Sequence, residues 1–251
     1  MSSSYKTLNV TRSTDDLIVT VELFRPEALN AMNTAMGEEL LHCFDRFTWD
    51  RTVRAVVFTG AGEKAFCVGS DIKEIARTGS MASTKTLMDA LPGVGIPLDK
   101  PVIAALHGFC VGMGMTLALH CDLRLAAKNT VLGYPEVKHG MISGVSAMRL
   151  PQVIPQAKAL EMLLLGRNMT VDEAVRIGLV NAVVDDVQAE ARAWAEVIAS
   201  YSPVAVQATK RLALFPQRLS EAEKAEITAV RDAVESKDDF KQGATAFTKR
   251  A

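Results

Sequence analysis

Residues 107–122 read HGFCVGMGMTLALHCD and place glycines immediately before an apolar segment. The small and apolar residues from Gly112 to Cys121 predict a helix that is buried on most sides. Gly112 and Gly114 permit a close backbone approach at the start of this helix, where unpaired N–H groups face the gap. The loop matches neither the GxGxxG nor the glycine-lysine-serine pattern of phosphate-binding loops. The loop is either a packing feature or a cradle for a reacting carbonyl oxygen. Thr116 is the hydroxyl residue on the first turn of the helix that follows the loop.

The segments around this loop predict an alternation of strands, turns and helices. VIAALHG and DLRLAA, which flank it, predict strands, as does RAVVFTG further upstream. Nearer the N-terminus, TLNVTR and LIVTVELF predict a hairpin, and TAMGEELLHCFDRF predicts a helix. After Pro151 the pattern is helical: AKALEMLLLG, TVDEAVRIG with Thr170 as N-cap and Gly178 as C-cap, VQAEARAWAEVIASYS, and an amphipathic stretch from Pro203 to Ala251.

The length of 251 residues suits one large domain or a main domain with an appendage. We expect a core over residues 1–190 and a C-terminal helical region over residues 191–251, with a soft boundary, or else one domain. The net charge of −1, with both signs evenly mixed, provides no field that would recruit nucleic acid or an anionic membrane surface. We therefore expect a small-molecule partner.

The cysteines and the start of the chain indicate the compartment. Cys43, Cys67, Cys110 and Cys121 lie far apart in apolar surroundings, with no CxxC pair and no histidine at metal-ligand spacing. They are expected to be reduced core residues, and no metal site is predicted. The opening MSSSYKTLNV lacks the pattern of a signal peptide, and no stretch approaches the length of a membrane span. The prediction is a cytoplasmic protein.

Two further stretches carry groups capable of chemistry. GEKAFCVGSDIKEI, residues 62–75, puts Ser70 and Asp71 at the mouth of a predicted helix, whose N–H groups attract a developing negative oxygen; an N-capped helix without a site gives the same pattern. LGYPEVKHGMISG, residues 132–144, holds Glu136 in an extended turn among apolar neighbours. That carboxylate is either exposed at a loop tip, which its position slightly favours, or held in a pocket that raises its pKa towards that of a general base.

These three stretches occur together with RPEALNAMN and GRNMTVDEAVRIGLVNAVV, and in this order and spacing the chain resembles the crotonase superfamily of enoyl-CoA hydratases and isomerases. The resemblance runs from about Leu17 to the last helix. It implies an α/β fold with a spiral of β-β-α repeats, C-terminal helices that help to form a homotrimer or hexamer, and an acyl thioester of coenzyme A as substrate. Coenzyme A would enter as part of that substrate, and no separate cofactor is implied.

The resemblance also assigns roles to individual residues. The oxyanion hole would consist of the backbone N–H groups of Ser70 and Met113, which hold the thioester oxygen as an enolate. Met113 stands where glycine is frequent in the family and would crowd the loop. Further substrate-binding positions would be Ala28, Asp71, Ile72, Lys73 and Gly112.

The acid/base residues separate the possible reactions. Hydratases of the family carry one glutamate on the helix after the glycine loop and a second in the GxPE turn; here Thr116 occupies the first position and Glu136 the second. A hydroxyl group can hydrogen-bond a water but cannot transfer protons near pH 7 as a carboxylate does. One carboxylate suffices for a proton shift between C2 and C4, so the sequence favours double-bond isomerisation by Glu136. Hydration, with or without carbon–carbon cleavage and with a water held by Thr116, is the main alternative. Thioester hydrolysis, decarboxylation and non-catalytic acyl-CoA binding stay open.

Other polar residues near these motifs are interpreted as structural. His139 is expected at the surface rather than as a second acid, and His120 is expected to be buried at a helix end. Ser143 and Ser146 lack a GxSxG elbow and are expected to line an acyl pocket rather than act as nucleophiles. Asp122 is expected to pair or cap where the helix gives way to a strand.

Overall fold

A computed structural model of the chain describes residues 5–79, 82–214 and 220–236. Its strands, in chain order, are β1 (Leu8–Arg12), β2 (Ile18–Leu23), β3 (Ala55–Gly60), β4 (Ala65–Cys67), β5 (Val102–Leu106), β6 (Phe109–Val111), β7 (Leu123–Ala127), β8 (Val131–Gly133), β9 (Asn168–Thr170) and β10 (Ala182–Val184). Its α-helices are α1 (Thr34–Trp49), α2 (Ile72–Thr78), α3 (Thr84–Asp89), α4 (Met113–Leu119), α5 (Val145–Val153), α6 (Gln156–Leu165), α7 (Val171–Arg176), α8 (Val187–Ser200), α9 (Pro203–Leu214) and α10 (Glu221–Glu235).

The strands form two sheets. The larger has the order β1-β2-β3-β5-β7-β10, and the smaller has the order β4-β6-β8-β9. β1 and β2 pair antiparallel, as the predicted hairpin requires, whereas β2, β3, β5, β7 and β10 run parallel to one another. β3 and β5 are buried along their whole length, as expected of parallel strands that are covered on both faces.

Successive chain segments repeat the same unit. β3, β4 and α2 form one unit, and β5, β6 and α4 form the next; β7 and β8 continue the series into a 3₁₀ helix at Glu136–His139. In each unit the first strand joins the larger sheet and the second joins the smaller one. This arrangement confirms the predicted α/β spiral of β-β-α repeats, and it stacks the loops before α2 and α4 beside each other.

The C-terminal helices pack onto this core. Ala191, Ala195 and Ala199 form a buried stripe on α8 that belongs to the same apolar cluster as Val57 of β3 and Ile103 of β5. The boundary expected at residue 190 therefore falls inside α8.

A partly buried ion pair ties α9 to the core. The Lys210 ammonium donates to the Asp122 carboxylate at 2.7 Å and to the Lys100 carbonyl at 2.7 Å. Asp122 also accepts from the Val102 N–H at 2.7 Å, so its expected pairing role is confirmed.

The helix ends follow the sequence signals closely. The Thr170 hydroxyl accepts from the Glu173 N–H and caps α7, as predicted. The C-cap of α7 is Ile177, one residue before the predicted Gly178. Gly178 is the next residue and adopts the left-handed conformation at φ +77°. Helices occupy most of the described residues after Pro203, while 215–219 and 237–251 lie outside the described residues.

The sequence predicted reduced cysteines in the core and no stretch as long as a membrane span. All four cysteines are buried and free, and burial raises the pKa of each thiol. In the part of the chain that the structure describes, every helix falls short of the length and apolarity of a membrane span.

Candidate active site

One cavity brings together six of the residues predicted from the sequence. It has a volume of about 130 Å³, and its lining is mainly apolar. α3, α10 and residues 141–145 supply much of the remaining wall. The predicted residues in the lining are Ser70, Ile72, Gly112, Met113, Thr116 and Glu136.

Two glycines let the loops of this cavity meet. Gly69 has φ +105° and Gly112 has φ +57°, a region that side chains rarely adopt. A Cβ on Gly69 would lie 3.5 Å from the Met113 nitrogen, and a Cβ on Gly112 would lie 3.3 Å from Oε1 of Glu136. Because neither glycine has a side chain, the two loops and the Glu136 carboxyl enclose a common space.

The first turn of α4 is held against β4 at even closer range. A Cβ on Gly114 would lie 2.2 Å from the Cys67 carbonyl oxygen, so this position has room only for glycine. Gly112 in turn donates its N–H to the Gly133 carbonyl at 2.9 Å, which links the glycine loop to the strand that precedes Glu136.

The backbone N–H groups of Ser70 and Met113 are available to a ligand. Among the described residues, neither N–H donates to a protein acceptor, although both residues line the cavity. Ser70 is fixed from both sides, because Met32 donates to the Gly69 carbonyl at 2.8 Å and accepts from the Asp71 N–H at 2.9 Å. Two rigid donors of this kind can stabilise an oxygen on which negative charge develops.

The Glu136 carboxyl group is half-buried rather than exposed at a loop tip. Its Oε2 atom is fully enclosed and makes no hydrogen bond within the described residues. Burial raises the pKa of Glu136 to about 7, against the opposing effects of its own backbone N–H and of the Ser143 hydroxyl. The slight preference for exposure that its position suggested is therefore wrong, because Glu136, at the start of the 3₁₀ helix, lines the cavity.

A pair of buried hydroxyl groups stands beside this carboxyl. The Thr116 and Ser146 hydroxyl oxygens lie 2.6 Å apart, and the Thr116 hydroxyl also lies 3.1 Å from the Gly112 carbonyl oxygen. Tyr134 is fully buried next to them; its hydroxyl makes no hydrogen bond within the described residues, and both neighbouring hydroxyls offset part of the rise that burial causes in its pKa. Thr116 is the member of this group that reaches the cavity.

Three predicted binding residues lie outside the cavity lining. The Asp71 carboxylate caps α2 by accepting from the Lys73 and Glu74 N–H groups, and it forms an ion pair with Arg25 at 2.8 Å. The Lys73 side chain is exposed, and Ala28 ends a short 3₁₀ helix. The structure gives Asp71 a structural function, and coenzyme A contacts at Ala28, Asp71 and Lys73 stay predictions.

The two histidines separate in space. His139 is half-buried and lines the cavity, so its expected surface location is wrong. His120 is half-buried at the end of α4 rather than fully buried; its Nε2 atom is enclosed and makes no hydrogen bond within the described residues. Burial, together with the charges of Arg149 and Arg124, lowers the pKa of His120 to about 3. It lines a different cavity, beside Asp122 and Lys210.

Sequence patterns left several cavity residues unrecognised. Ile227 and Arg231 come from α10, near the C-terminal end of the described residues. Thr84 and Leu87 come from α3, within a stretch that matches no motif. Only the four-residue spacing of Ile227 and Arg231, which places both on one helix face, offered a signal.

Comparison with known proteins is consistent with this site. Residues 13–251 match the family model described as enoyl-CoA hydratase/isomerase. The (E)-benzylidenesuccinyl-CoA hydratase of Thauera aromatica is 40% identical over 210 residues, which cover 82% of each chain. The short-chain-enoyl-CoA hydratase of Clostridium acetobutylicum is 36% identical over 208 residues, which cover 81% of this chain and 80% of that one.

Solved structures of similar proteins have the same architecture. The crystal structure of a carnitinyl-CoA hydratase from Mycobacterium avium superimposes with a TM-score of 0.88 at 33% identity, covering 98% of this chain and 97% of that one. The family model and this structure both match nearly the whole chain.

Proposed function

Since the chain belongs to the enoyl-CoA hydratase/isomerase family, we propose that it adds water across the C2–C3 double bond of a 2-enoyl-CoA thioester. The observation that carries the proposal is the Thr116 hydroxyl, which lines the same cavity as the Glu136 carboxyl and supplies a second polar group for a water. The names of the relatives support hydration, whereas the sequence alone favoured isomerisation. Coenzyme A arrives as part of the substrate, and no further cofactor takes part in the proposed reaction.

The thioester oxygen binds to the two available N–H groups. Ser70 and Met113 donate to this oxygen and hold the negative charge that develops when C3 is attacked. Because the donors are already oriented, no reorganisation is needed during the reaction. Each such donor contributes roughly 3 to 4 kcal/mol to stabilising the transition state.

Glu136 transfers the proton. As a carboxylate it removes a proton from the water whose oxygen bonds to C3; the electrons of the double bond move into the enolate. The protonated Glu136 then returns that proton to C2, which regenerates the carboxylate and completes the addition of one water. A pKa of about 7 suits both steps, since the group exchanges protons readily near neutral pH.

Thr116 holds the water. Its one hydroxyl hydrogen points to the Gly112 carbonyl, so the hydrogen between Thr116 and Ser146 comes from Ser146. The Thr116 oxygen then keeps a lone pair that accepts a hydrogen bond from the water. Thr116 therefore orients the nucleophile and leaves the proton transfer to Glu136.

Isomerisation is the second candidate, because Glu136 is the sole carboxylate among the described residues of the cavity lining. The same group would carry a proton from C4 of a 3-enoyl-CoA to C2 of the conjugated product. Family members with cleavage activity make hydration followed by carbon–carbon cleavage a further form of the first candidate.

Assembly into a homotrimer or hexamer stays a prediction.

The decisive experiment is incubation with a 2-enoyl-CoA and, separately, a 3-enoyl-CoA in deuterated water, followed by NMR and mass spectrometry. Formation of a 3-hydroxyacyl-CoA supports hydration. Deuterium at C2 or C4 with a moved double bond and no hydroxyl group supports isomerisation. Tight binding of both thioesters without any change contradicts both reactions and favours a binding protein.

A further inference from the structure

An ion pair lies directly beside one of the two proposed oxyanion donors. Nη2 of Arg25 is 2.8 Å from Oδ2 of Asp71, the residue after Ser70, and the two side chains are only 18% and 11% exposed. Nη1 of the same guanidinium donates to the Ala31 carbonyl at 2.6 Å. Arg25 does not belong to the described lining of the cavity, so it acts on an acyl group there through other residues.

The turn that carries Arg25 is anchored to the core. Asn30 is completely buried; its side-chain oxygen accepts from the Arg25 N–H at 3.0 Å, and its own N–H donates to the Arg25 carbonyl at 2.9 Å. The Asn30 side-chain amide donates to the Ala61 and Ala65 carbonyls at 2.9 Å each. Because the backbone of Arg25 is held on both sides, its guanidinium provides a fixed point for Asp71.

The ion pair controls the position of the Ser70 N–H. Oδ1 of Asp71 accepts from the N–H groups of Lys73 and Glu74 at 3.0 and 3.1 Å, while Oδ2 pairs with Arg25, so both carboxylate oxygens are held. Ser70 is joined to Asp71 by one rigid peptide unit. A displaced Asp71 therefore moves Ser70 and turns its N–H away from the ligand.

The guanidinium also neutralises a charge at a sensitive place. The Asp71 carboxylate belongs to the residue next to the N–H that holds the developing negative oxygen, and two negative charges at short range repel each other strongly where water is scarce. Arg25 offsets this repulsion. A guanidinium suits the position, because it is permanently charged and its planar fork contacts the Asp71 carboxylate and the Ala31 carbonyl at once.

We propose that Arg25 is a positioning residue of the oxyanion hole, which holds and neutralises Asp71 so that the Ser70 N–H polarises the thioester. The inference rests on the proposed function in one respect: the thioester oxygen is taken to bind between the N–H groups of Ser70 and Met113. It applies to hydration and to isomerisation alike, since negative charge develops on this oxygen in both reactions.

The kinetic test replaces the two partners singly and together. Arg25→Met is expected to lower kcat for hydration of but-2-enoyl-CoA by about 10- to 100-fold, the effect of one misaligned group at a reacting centre, and to change KM much less. Asp71→Asn keeps an oxygen that caps α2 and should lose less. The double variant should be more active than Arg25→Met alone, because it leaves no unpaired carboxylate beside the enolate. The matched control Arg12→Met, which breaks the ion pair with Asp50 between β1 and the end of α1, keeps the wild-type kcat.

A second measurement detects the polarising N–H without any turnover. Butanoyl-CoA labelled with ¹³C at the thioester carbonyl is bound to each variant, and its carbonyl band is recorded by difference infrared spectroscopy. In the wild-type protein and in Arg12→Met the band is expected to lie at lower frequency than in free butanoyl-CoA, because the donors weaken the carbonyl bond. The shift should be smaller in Arg25→Met and intermediate in Arg25→Lys, which keeps the charge without the fork.

Two results would overturn the proposal: folded Arg25→Met shows the wild-type carbonyl shift, or it shows a raised KM with an unchanged kcat, which would make Arg25 a coenzyme A ligand instead. If Arg25→Met does not fold, the carbonyl shift in Arg25→Lys decides, and a wild-type shift there rejects the proposal. A carbonyl shift that depends on Arg25, without hydration of any enoyl-CoA, supports the positioning role and rejects the proposed hydration. Hydration that is independent of Arg25 does the reverse.

Discussion

The hydroxyl oxygens of Thr116 and Ser146 lie 2.6 Å apart in the interior, thirty residues apart along the chain. Ser146 lies on the first turn of α5 and is completely buried, while Thr116 faces the cavity from α4. The Gly112 carbonyl accepts the Thr116 hydrogen, so Ser146 fixes which lone pair of Thr116 faces the ligand. In the proposed hydration this neutral pair would take over the water-orienting role of the second carboxylate.

Removing the Thr116 hydroxyl should impair hydration more than proton transfer at C2. We expect Thr116→Val to reduce kcat for hydration by about 10- to 100-fold, because one hydrogen bond to the reacting water is lost. Exchange of the C2 hydrogens of a saturated acyl-CoA in deuterated water, which needs only Glu136 and the N–H donors, should fall less. Thr116→Ser keeps the hydroxyl and serves as the control. Equal losses in both assays for Thr116→Val would contradict a water-orienting role.

Replacing Glu136 should abolish chemistry and leave binding largely intact. Glu136→Gln keeps the size of the side chain but cannot carry a proton, so kcat is expected to fall by about 100- to 10,000-fold. The dissociation constant of a saturated acyl-CoA, measured by calorimetry, should change little. Glu196→Gln, on the exposed side of α8, is the matched control. Turnover within a few fold of wild type in Glu136→Gln would exclude Glu136 as the acid/base.

The pH dependence of hydration should show the titration of Glu136. Because the carboxylate form removes the proton from water, kcat/KM is expected to rise with pH and to level off above about pH 7. His139 lines the same cavity and is the main competing group. His139→Gln should retain this acid limb in a full pH–rate profile. Loss of the limb in His139→Gln would assign it to the imidazole instead.

Local signals in the sequence were sufficient to predict the repeating core. Runs of buried β-branched residues predicted β3 and β5, and Asp71 and Thr170 marked the starts of α2 and α7. The family resemblance then predicted that the Gly69–Ser70 and Gly112–Met113 loops meet, and the parallel pairing of β4 with β6 places them side by side.

Contacts between residues that are far apart in the sequence could not be predicted from local sequence patterns. The partnership of Ser146 with Thr116 depends on how α5 packs against α4, and no spacing in the sequence encodes that angle. Arg231 lies 147 residues from Thr84, and its α10 pattern is that of any amphipathic helix. The burial of Glu136 was also misjudged, because a proline turn in the sequence does not reveal which side of the turn faces the core.

Gly112 should be far less tolerant of a side chain than another left-handed glycine. Gly112→Ala adds a Cβ 3.3 Å from Oε1 of Glu136 as well as strain at φ +57°, so it should displace the carboxyl and reduce kcat by 10-fold or more, roughly the effect of misplacing a catalytic group. Gly79 has φ +73° and open space around its Cβ position. Gly79→Ala should therefore cost about 1 kcal/mol of stability and leave kcat unchanged. Similar kinetics for the two variants would contradict the proposed crowding.

The raised pKa of Glu136 should also be visible in the stability of the protein without substrate. The folded state holds a proton on Glu136 up to about pH 7, whereas the unfolded chain releases it near the ordinary value of 4.5. This group therefore stabilises the fold fully below pH 4.5, and its contribution is lost as the pH rises towards 7. His120, with its lowered pKa, acts in the opposite direction, since its contribution is lost as the pH falls below 6.5. Comparing wild type with Glu136→Gln cancels the His120 contribution. The unfolding free energy of Glu136→Gln relative to wild type, from urea titrations, should rise by up to about 3 kcal/mol between acidic and mildly alkaline pH. A difference that does not change with pH would show that Glu136 titrates as it does in water.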